Sequence, residues 1–529
     1  MRAPFLLTII ALGLTADLAG QPVRKVDPRL SVIRPEWIAA SIRYLADDAL
    51  RGRETGQPGA ELTAKYVAAQ FEAAGLQPLD GFPNYLMPVP LRHSTVVASE
   101  TRASLSRSGV QVPLALDVDF LVHPDKRLER DGFEGEVVFV GWGVTVPGGY
   151  DDYQGVDVRG KVVAMFFGGP ASVPPDERGH YSSLAMKGLN ARRHGVVGVV
   201  TLMPAPGPQL GRQLGQLEGF GWVDPAGAAH SPFFETGTAL RLAATGMDKL
   251  LEGTGATVAS LLERLARGPA SFSTGARLAF EGVYRHRPVV AHNALGVLPG
   301  TDPVLKREYV VYSAHLDHIG VGQPVDGDSV HHGAIDNAGG TAVVAALARA
   351  FASLPRPKRS VIFLAVTGEE KGILGSDYFV HHPPVPLGAI VANVNLDNAV
   401  LIEPIRDLVA YGADYSTLGA VARSAFARLG VAPSEDPLPE MTIFTRSDHY
   451  AFMRVGVPGL MLFPGASRRD GQRRWFGSVH HTPRDRFDQG IDWGAAVTYA
   501  TANLLIGSEV ANQRERPRWI GTPFFRREE

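Results

Sequence analysis

From about Val289 onward the chain alternates unbroken apolar runs with helical stretches, and this alternation restricts the fold more than any other feature. The runs are EYVVYSAH, SVIFLAV, AIVANVN and GVPGLMLF; GGTAVVAALARAFASL, a short segment near Ser376 to Val380, and STLGAVARSAFARLG have helical composition and spacing. Strands with no polar alternation are buried on both faces, so the expected architecture is α/β: a mostly parallel central sheet covered by helices on each side. In such sheets the ligand crevice lies beyond the carboxyl ends of the strands. The residues standing there are therefore the first candidates for function.

His315 ends the run from Tyr309, Glu369 and Glu370 follow the run from Ser360, and Asp397 follows the run from Ile390. Asp336 lies at the mouth of the helix GGTAVVAALA, and His480 and His481 occupy a loop after the last run. Singly, each has an ordinary structural use: Asp336 as a helix cap, His315 as a hydrogen-bonded core imidazole, the two glutamates as a solvated pair. Their common edge changes the reading. Carboxylates and imidazoles converging on one crevice suit Zn²⁺, and also Co²⁺ or Mn²⁺. Two histidines and three acids exceed the needs of one open tetrahedral ion and suit two ions sharing a carboxylate.

Composition agrees with a metal held by nitrogen and oxygen. The 529 residues contain Cys 0, which removes disulfides, thiolate ligands and cysteine nucleophiles together. Lys+Arg 52 against Asp+Glu 54 leaves a net charge of -2, so no bulk electrostatics favour nucleic acid or an anionic membrane. The first residues, MRAPFLLTIIALGLTADLAG, have the basic start, short apolar run and small-residue end of a secretory signal, and no later stretch is long and apolar enough to span a bilayer. An exported protein without cystine points to a bacterial envelope or secreted location.

The rest of the chain divides by texture. Residues 1–20 read as the signal peptide and 21–115 as an N-terminal helical part of the catalytic unit. Residues 116–285 read as a β-rich insertion, 286–510 as the catalytic domain and 511–529 as a tail. In the helical part, Ile38, Ile42 and Leu45 form one apolar face and Leu62, Tyr66, Phe71 and Ala74 another; the loop between them, with Arg51, Arg53 and Glu54, reads as solvated. Within the insertion, the Gly- and Pro-rich stretch from Pro204 to Gly227 reads as a surface loop, and MDKLLEGTGATVASLLERLARG as a second helical stretch. The pairs His331–His332 and His381–His382 read as surface residues.

The segments SAHLDHIG, GAIDNAGG, TGEEKGILGS, NVNLD, RSDHYAFMRVGVP and HHTPRD, in this order, resemble the M28 family of zinc metallopeptidases. The strands VVFVGWGV and GKVVAMFFGG more loosely resemble the protease-associated domain often inserted in that family. The resemblance implies a three-layer α/β/α phosphorylase/hydrolase-like core and two zinc ions, one completed by His315 and Asp397, the other by Glu370 and His481, with Asp336 bridging. It implies Glu369 as general base for attack by a metal-bridging hydroxide on a peptide carbonyl, Asp317 as the acceptor orienting the His315 ring, and a cis Asp336–Asn337 peptide. Relatives often carry Asp before the bridging acid and Tyr before the last His; here Ile335 and His480 stand there, leaving the oxyanion donor open. Asp448 and His449 match a segment read as structural or substrate-side. The expected substrates are peptides, cleaved at the amino terminus; a single-zinc glutaminyl cyclase and a binding protein on the same fold are the competing readings.

Overall fold

The structure is a computed structural model, and it describes residues 27–203, 217–232 and 239–526. The signal-peptide reading of residues 1–20 lies outside the described residues.

The central sheet is built as the apolar runs require. Strand Ser360–Val366 pairs in parallel with Tyr309–His315, which pairs in parallel with Ile390–Asn395, followed in parallel by Gly459–Pro464. Antiparallel strands flank these four: the carboxyl end of the long strand Ser271–Leu298 on one side and Asp407–Tyr411 on the other. Period-two alternation sends Val361, Phe363 and Ala365 to one face and Ile362, Leu364 and Val366 to the other, and both faces are buried. Helices Pro35–Leu45, Pro58–Ala73, Gly340–Ser353 and Trp493–Asn512 contribute to the larger core. Leu374–His381 and His449–Arg454 cover the opposite face through Phe379 and Phe452. The α/β/α expectation therefore holds. Among the described residues no helix is long and apolar enough to cross a membrane.

A second sheet gathers Arg102–Arg107, Val110–Leu114, Phe120–His123, Arg130–Val140, Val162–Phe166, Gly198–Leu202 and Ala239–Leu242 around its own core of Phe139, Phe166, Leu240 and Leu261. Ser271–Leu298 joins the two sheets. Its first half pairs with Arg102–Arg107 and Arg130–Val140; its second pairs with Leu86–Val96 and then Ser360–Val366. One uninterrupted strand thus carries backbone pairing from one unit into the other.

Four local readings differ from the sequence expectation. Helix Pro58–Ala73 buries Ala60, Ala64, Val67 and Phe71 and leaves Leu62 47% exposed, because small residues let its amino end dock closely: a Cβ at Gly59 would lie 1.8 Å from the Leu50 carbonyl oxygen. Within the supposed loop, Glu218–Val223 is a strand paired with Leu86–Val96, and Trp222 is buried against Asp377. The second helical stretch is two helices, Ala244–Leu251 and Val258–Leu265, separated at Gly253 and Gly255, whose φ values of 72° and 70° break the helix. His331 and His332 are buried, and His332 lies between Asp48 and Asp328, at 3.3 and 3.0 Å.

Candidate metal centre

The in-register parallel pairing, Tyr309 with Ser360 through His315 with Val366, makes neighbouring strands finish at one level. His315 is the last residue of its strand; Glu369 and Glu370 come just after theirs, once the chain turns at Gly368 (φ 72°); Asp397 follows Asn395 by two. Gly372 and Ile373 then donate their N–H groups to the Glu369 carbonyl, closing the turn that aims both glutamates at the crevice.

Asp336 joins two groups. Its Oδ1 lies 3.3 Å from His315 Nε2, which is 3.1 Å from Asp397 Oδ1. Its Oδ2 lies 3.0 Å from His481 Nε2, which is 3.1 Å from Glu370 Oε2. His315, Asp336 and Asp397 form one candidate metal group; His318, Asp336, Glu370 and His481 form the other, with ligand atoms inside each within 4.8 Å of one another. Glu369 belongs to neither group but lines the same cavity, with Oε2 3.9 Å from His315 Nε2. The Asp336–Asn337 peptide is cis.

The electrostatics are those of a cluster that calls for positive charge. Asp336, Glu369, Glu370 and Asp397 converge with little exposure. Burial disfavours charge on the two imidazoles, yet neighbouring acids overcome it. Asp397 and Glu369 hold His315 well above the usual imidazole range, and Glu370 with Asp336 lift His481 to about 10. Glu370 and Asp336 would be raised by burial but are held below the usual carboxylate range by those same imidazoles. Glu369 has no comparable compensation: burial, reinforced by Asp397 and Glu370 and only partly offset by His315, holds it well above its ordinary value. Divalent cations would supply that positive charge with neutral imidazole ligands, and this donor set of nitrogen and oxygen fits them.

All five expected ligands and Glu369 come together, and several further residues hold them. Asp317 differs from expectation: His315 Nδ1 lies 3.1 Å from the Asp317 carbonyl oxygen, while the carboxylate is 3.9 Å away. That carboxylate instead accepts from the Glu369 N–H at 3.2 Å and the Thr55 hydroxyl at 2.8 Å. Asp485, the acid of HHTPRD, accepts the N–H groups of Ile335 and Asp336, both at 2.9 Å. His480 stacks on His481 with centroids 3.8 Å apart and points Nε2 at Asp336 Oδ2, 3.1 Å away, so it is inside the centre. Asp448 accepts from Ser376 at 2.5 Å, and His449 is fully buried beside Phe444; neither lines the cavity.

The loop read as solvated is a buried support. Arg53 is 1% exposed and its guanidinium donates to the carbonyls of Leu316, His332, Gly333 and Leu45. Its backbone approaches so closely that a Cβ at Gly52 would lie 2.4 Å from the Gly320 carbonyl oxygen. Glu54 pairs with Lys371 at 2.8 Å. Nothing in the local sequence distinguishes this loop from an exposed one, because all its partners named here but Leu45 lie more than 260 residues away. His318 was not among the expected ligands; the signal available was its position three residues after His315.

The cavity over the centre has a volume of about 260 Å³. Its lining includes apolar Met441, Ile443, Met461, Phe463 and Phe476, together with Glu218 and Phe220 and, from the second sheet, His123 and Arg241.

Sheet, crossover helices and imidazole–carboxylate edge together define an α/β/α protein with a candidate metal centre at the carboxyl ends of its parallel strands. Residues 293–506 match Peptidase family M28. Aminopeptidase YwaD of Bacillus subtilis is 28% identical over 214 residues, 39% of this chain and 44% of that protein. Leupeptin-inactivating enzyme 1 of Streptomyces exfoliatus is 30% identical over 237 residues, 41% of this chain and 50% of that protein. The chain thus spans half or less of these curated relatives. An aminopeptidase from Aneurinibacillus sp. strain AM-1 shares the fold at 19% identity, with a TM-score of 0.52 covering 93% of this chain and 97% of that one.

Proposed function

We propose that the chain is a zinc-dependent aminopeptidase holding two ions, one by His315, Asp336 and Asp397 and one by Asp336, Glu370 and His481. The observation that carries this reading is the division of Asp336, one oxygen toward each group. Zinc, when bound, polarises a carbonyl and lowers the pKa of a bound water. Glu369, which lines the cavity 3.9 Å from His315 Nε2, would take the proton of the attacking water and deliver it to the leaving amine. Asp317, through the Glu369 N–H, would hold that base in place. The apolar lining from Met441 to Phe476 would take an apolar first side chain, and the aminopeptidases among the relatives support action at an amino terminus.

The second sheet is proposed as a protease-associated-type insertion that shapes access for longer peptides, since its His123 and Arg241 line the cavity. Export by residues 1–20 is proposed on their signal-like pattern. Amino-terminal sequencing of the mature protein tests it: a chain still beginning at Met1 would count against cleavage.

Aminoacyl-nitroanilides, N-blocked analogues and dipeptides, assayed after chelation and zinc restoration, test the activity. Cleavage of unblocked apolar substrates alone is expected. Equal cleavage of blocked ones would overturn aminopeptidase action, and pyroglutamate formation with one bound ion would point to a cyclase. Glu369→Gln should keep both ions and lose roughly 10²–10⁴ in turnover. Glu370→Gln should lose zinc. Equal loss of zinc in both would contradict the division of roles.

A further inference from the structure

His318 is fully buried and stands three residues beyond His315. Its Nδ1 lies 2.7 Å from Glu370 Oε1, whereas His481 Nε2 lies 3.1 Å from Oε2 of the same carboxylate. The two oxygens of Glu370 are therefore divided between two imidazoles that meet edge to face, 5.6 Å between centroids and 70° between planes.

The His318 ring has little room to turn. It lies against the backbone of Gly333, where a Cβ would come within 2.6 Å of ring Cδ2 and Cγ. The His318 N–H donates to the Arg53 carbonyl at 3.1 Å, and the Arg53 guanidinium donates to the Leu316 and Gly333 carbonyls at 3.0 and 2.9 Å. Arg53 thus ties both segments that contact the ring. This ordering is spent on a residue outside the five ligands that the family resemblance implies.

An imidazole so placed has two available roles: ligand through Nδ1, or hydrogen-bond donor to Glu370. The opposite nitrogen distinguishes them. A ring bound to metal through Nδ1 must carry its proton on Nε2, and metal-bound histidines normally donate that proton to an acceptor. His318 Nε2 is buried with no hydrogen-bond partner among the described residues. With the proton on Nδ1 instead, the ring donates to the carboxylate, and Nε2 has no proton to satisfy.

We propose that His318 is a positioning residue whose Nδ1–H holds Glu370 Oε1, leaving Oε2 to the ion shared with Asp336 and His481. This rests on the two-ion reading and adds to it a dedicated support for one ligand of one site. It also places Arg53 in a chain of contacts from the amino-terminal loop, through His318, to Glu370.

Stepwise zinc affinities of the full chain, measured by chelator competition, test the assignment, with melting of the metal-free protein as the fold control. His318→Phe removes the donor and should weaken one of the two stepwise zinc affinities roughly 10–100-fold, leaving the other within about threefold. His318→Asn places an amide N–H where Nδ1 stood and should restore affinity to within about threefold, with Co²⁺ absorption bands unmoved because the ligands are unchanged. An Asn variant as weak as the Phe variant, or one with shifted Co²⁺ bands, would make the ring itself a ligand and overturn the proposal. A Phe variant with wild-type affinity would overturn it too. A wild-type chain that binds no zinc overturns the two-ion reading along with it, whereas two ions in the wild type and an unaffected Phe variant overturn the His318 assignment alone.

Discussion

Asp485 grips Asp336 by its backbone: one carboxylate oxygen receives the Asp336 N–H and the other the Ile335 N–H, each at 2.9 Å, and the acid is fully buried. The residue shared by both candidate metal groups is thereby fixed from outside them. Gln489 also donates to Asp485 at 2.5 Å, so this carboxylate is itself held. Replacing it should disturb both groups together.

Asp485→Ala leaves two buried N–H groups without an acceptor and should cost on the order of 2–4 kcal/mol of stability. Zinc content should fall at both sites. Differential scanning calorimetry with metal analysis checks this; unchanged zinc content in a folded Asp485→Ala protein would show that Asp336 keeps its place without the clamp.

Arg53 gives a second prediction. Arg53→Met removes a buried cation that serves four carbonyl oxygens, and should destabilise the metal-free protein by roughly 3 kcal/mol or more. Arg53→Lys should recover only part of the loss, since one ammonium cannot reproduce the guanidinium fork. Urea unfolding of the metal-free variants provides the comparison, and equal stability of wild type and Arg53→Met would remove the loop from the supporting structure.

His449 makes the protein sensitive to acid. Burial holds its pKa down to about 3 against an ordinary value of 6.5. The unfolded chain therefore takes up the proton near pH 6.5 and the folded chain only near pH 3. The stability this neutral imidazole contributes is complete above pH 6.5 and is lost as pH falls through that window, up to about 5 kcal/mol in total. His449→Phe should lose less stability between pH 7 and pH 4 than the wild type does, whatever its stability at pH 7. Denaturant unfolding at both pH values measures the difference, and parallel losses in the two proteins would assign the acid sensitivity elsewhere.

Much of this protein is legible before folding is considered. Continuous apolar runs such as Ser360–Val366 announce strands buried on both faces, and the acids and imidazoles beyond them form a coherent donor set. The residues that hold the donors in place were not legible. Arg53 and Glu54 have the composition of a surface loop, and Glu218–Val223 sits in a Gly- and Pro-rich stretch; each is decided by partners far along the chain. The buried face of helix Pro58–Ala73 departs from its apolar pattern because close approach at Gly59 selects small side chains over Leu62.

The sequence by itself determined the α/β/α class and the chemical types gathered at the carboxyl edge of the sheet, because strand burial and turn position are local consequences of hydrophobic pattern. Tertiary structure alone decided which oxygen of Asp336 faces which imidazole, that the Asp317 carboxylate serves Glu369 rather than the His315 ring, and that His318 and Asp485 stand behind the ligands. Those relations depend on distances between segments many residues apart, which are fixed only when the strands register and the core closes around them.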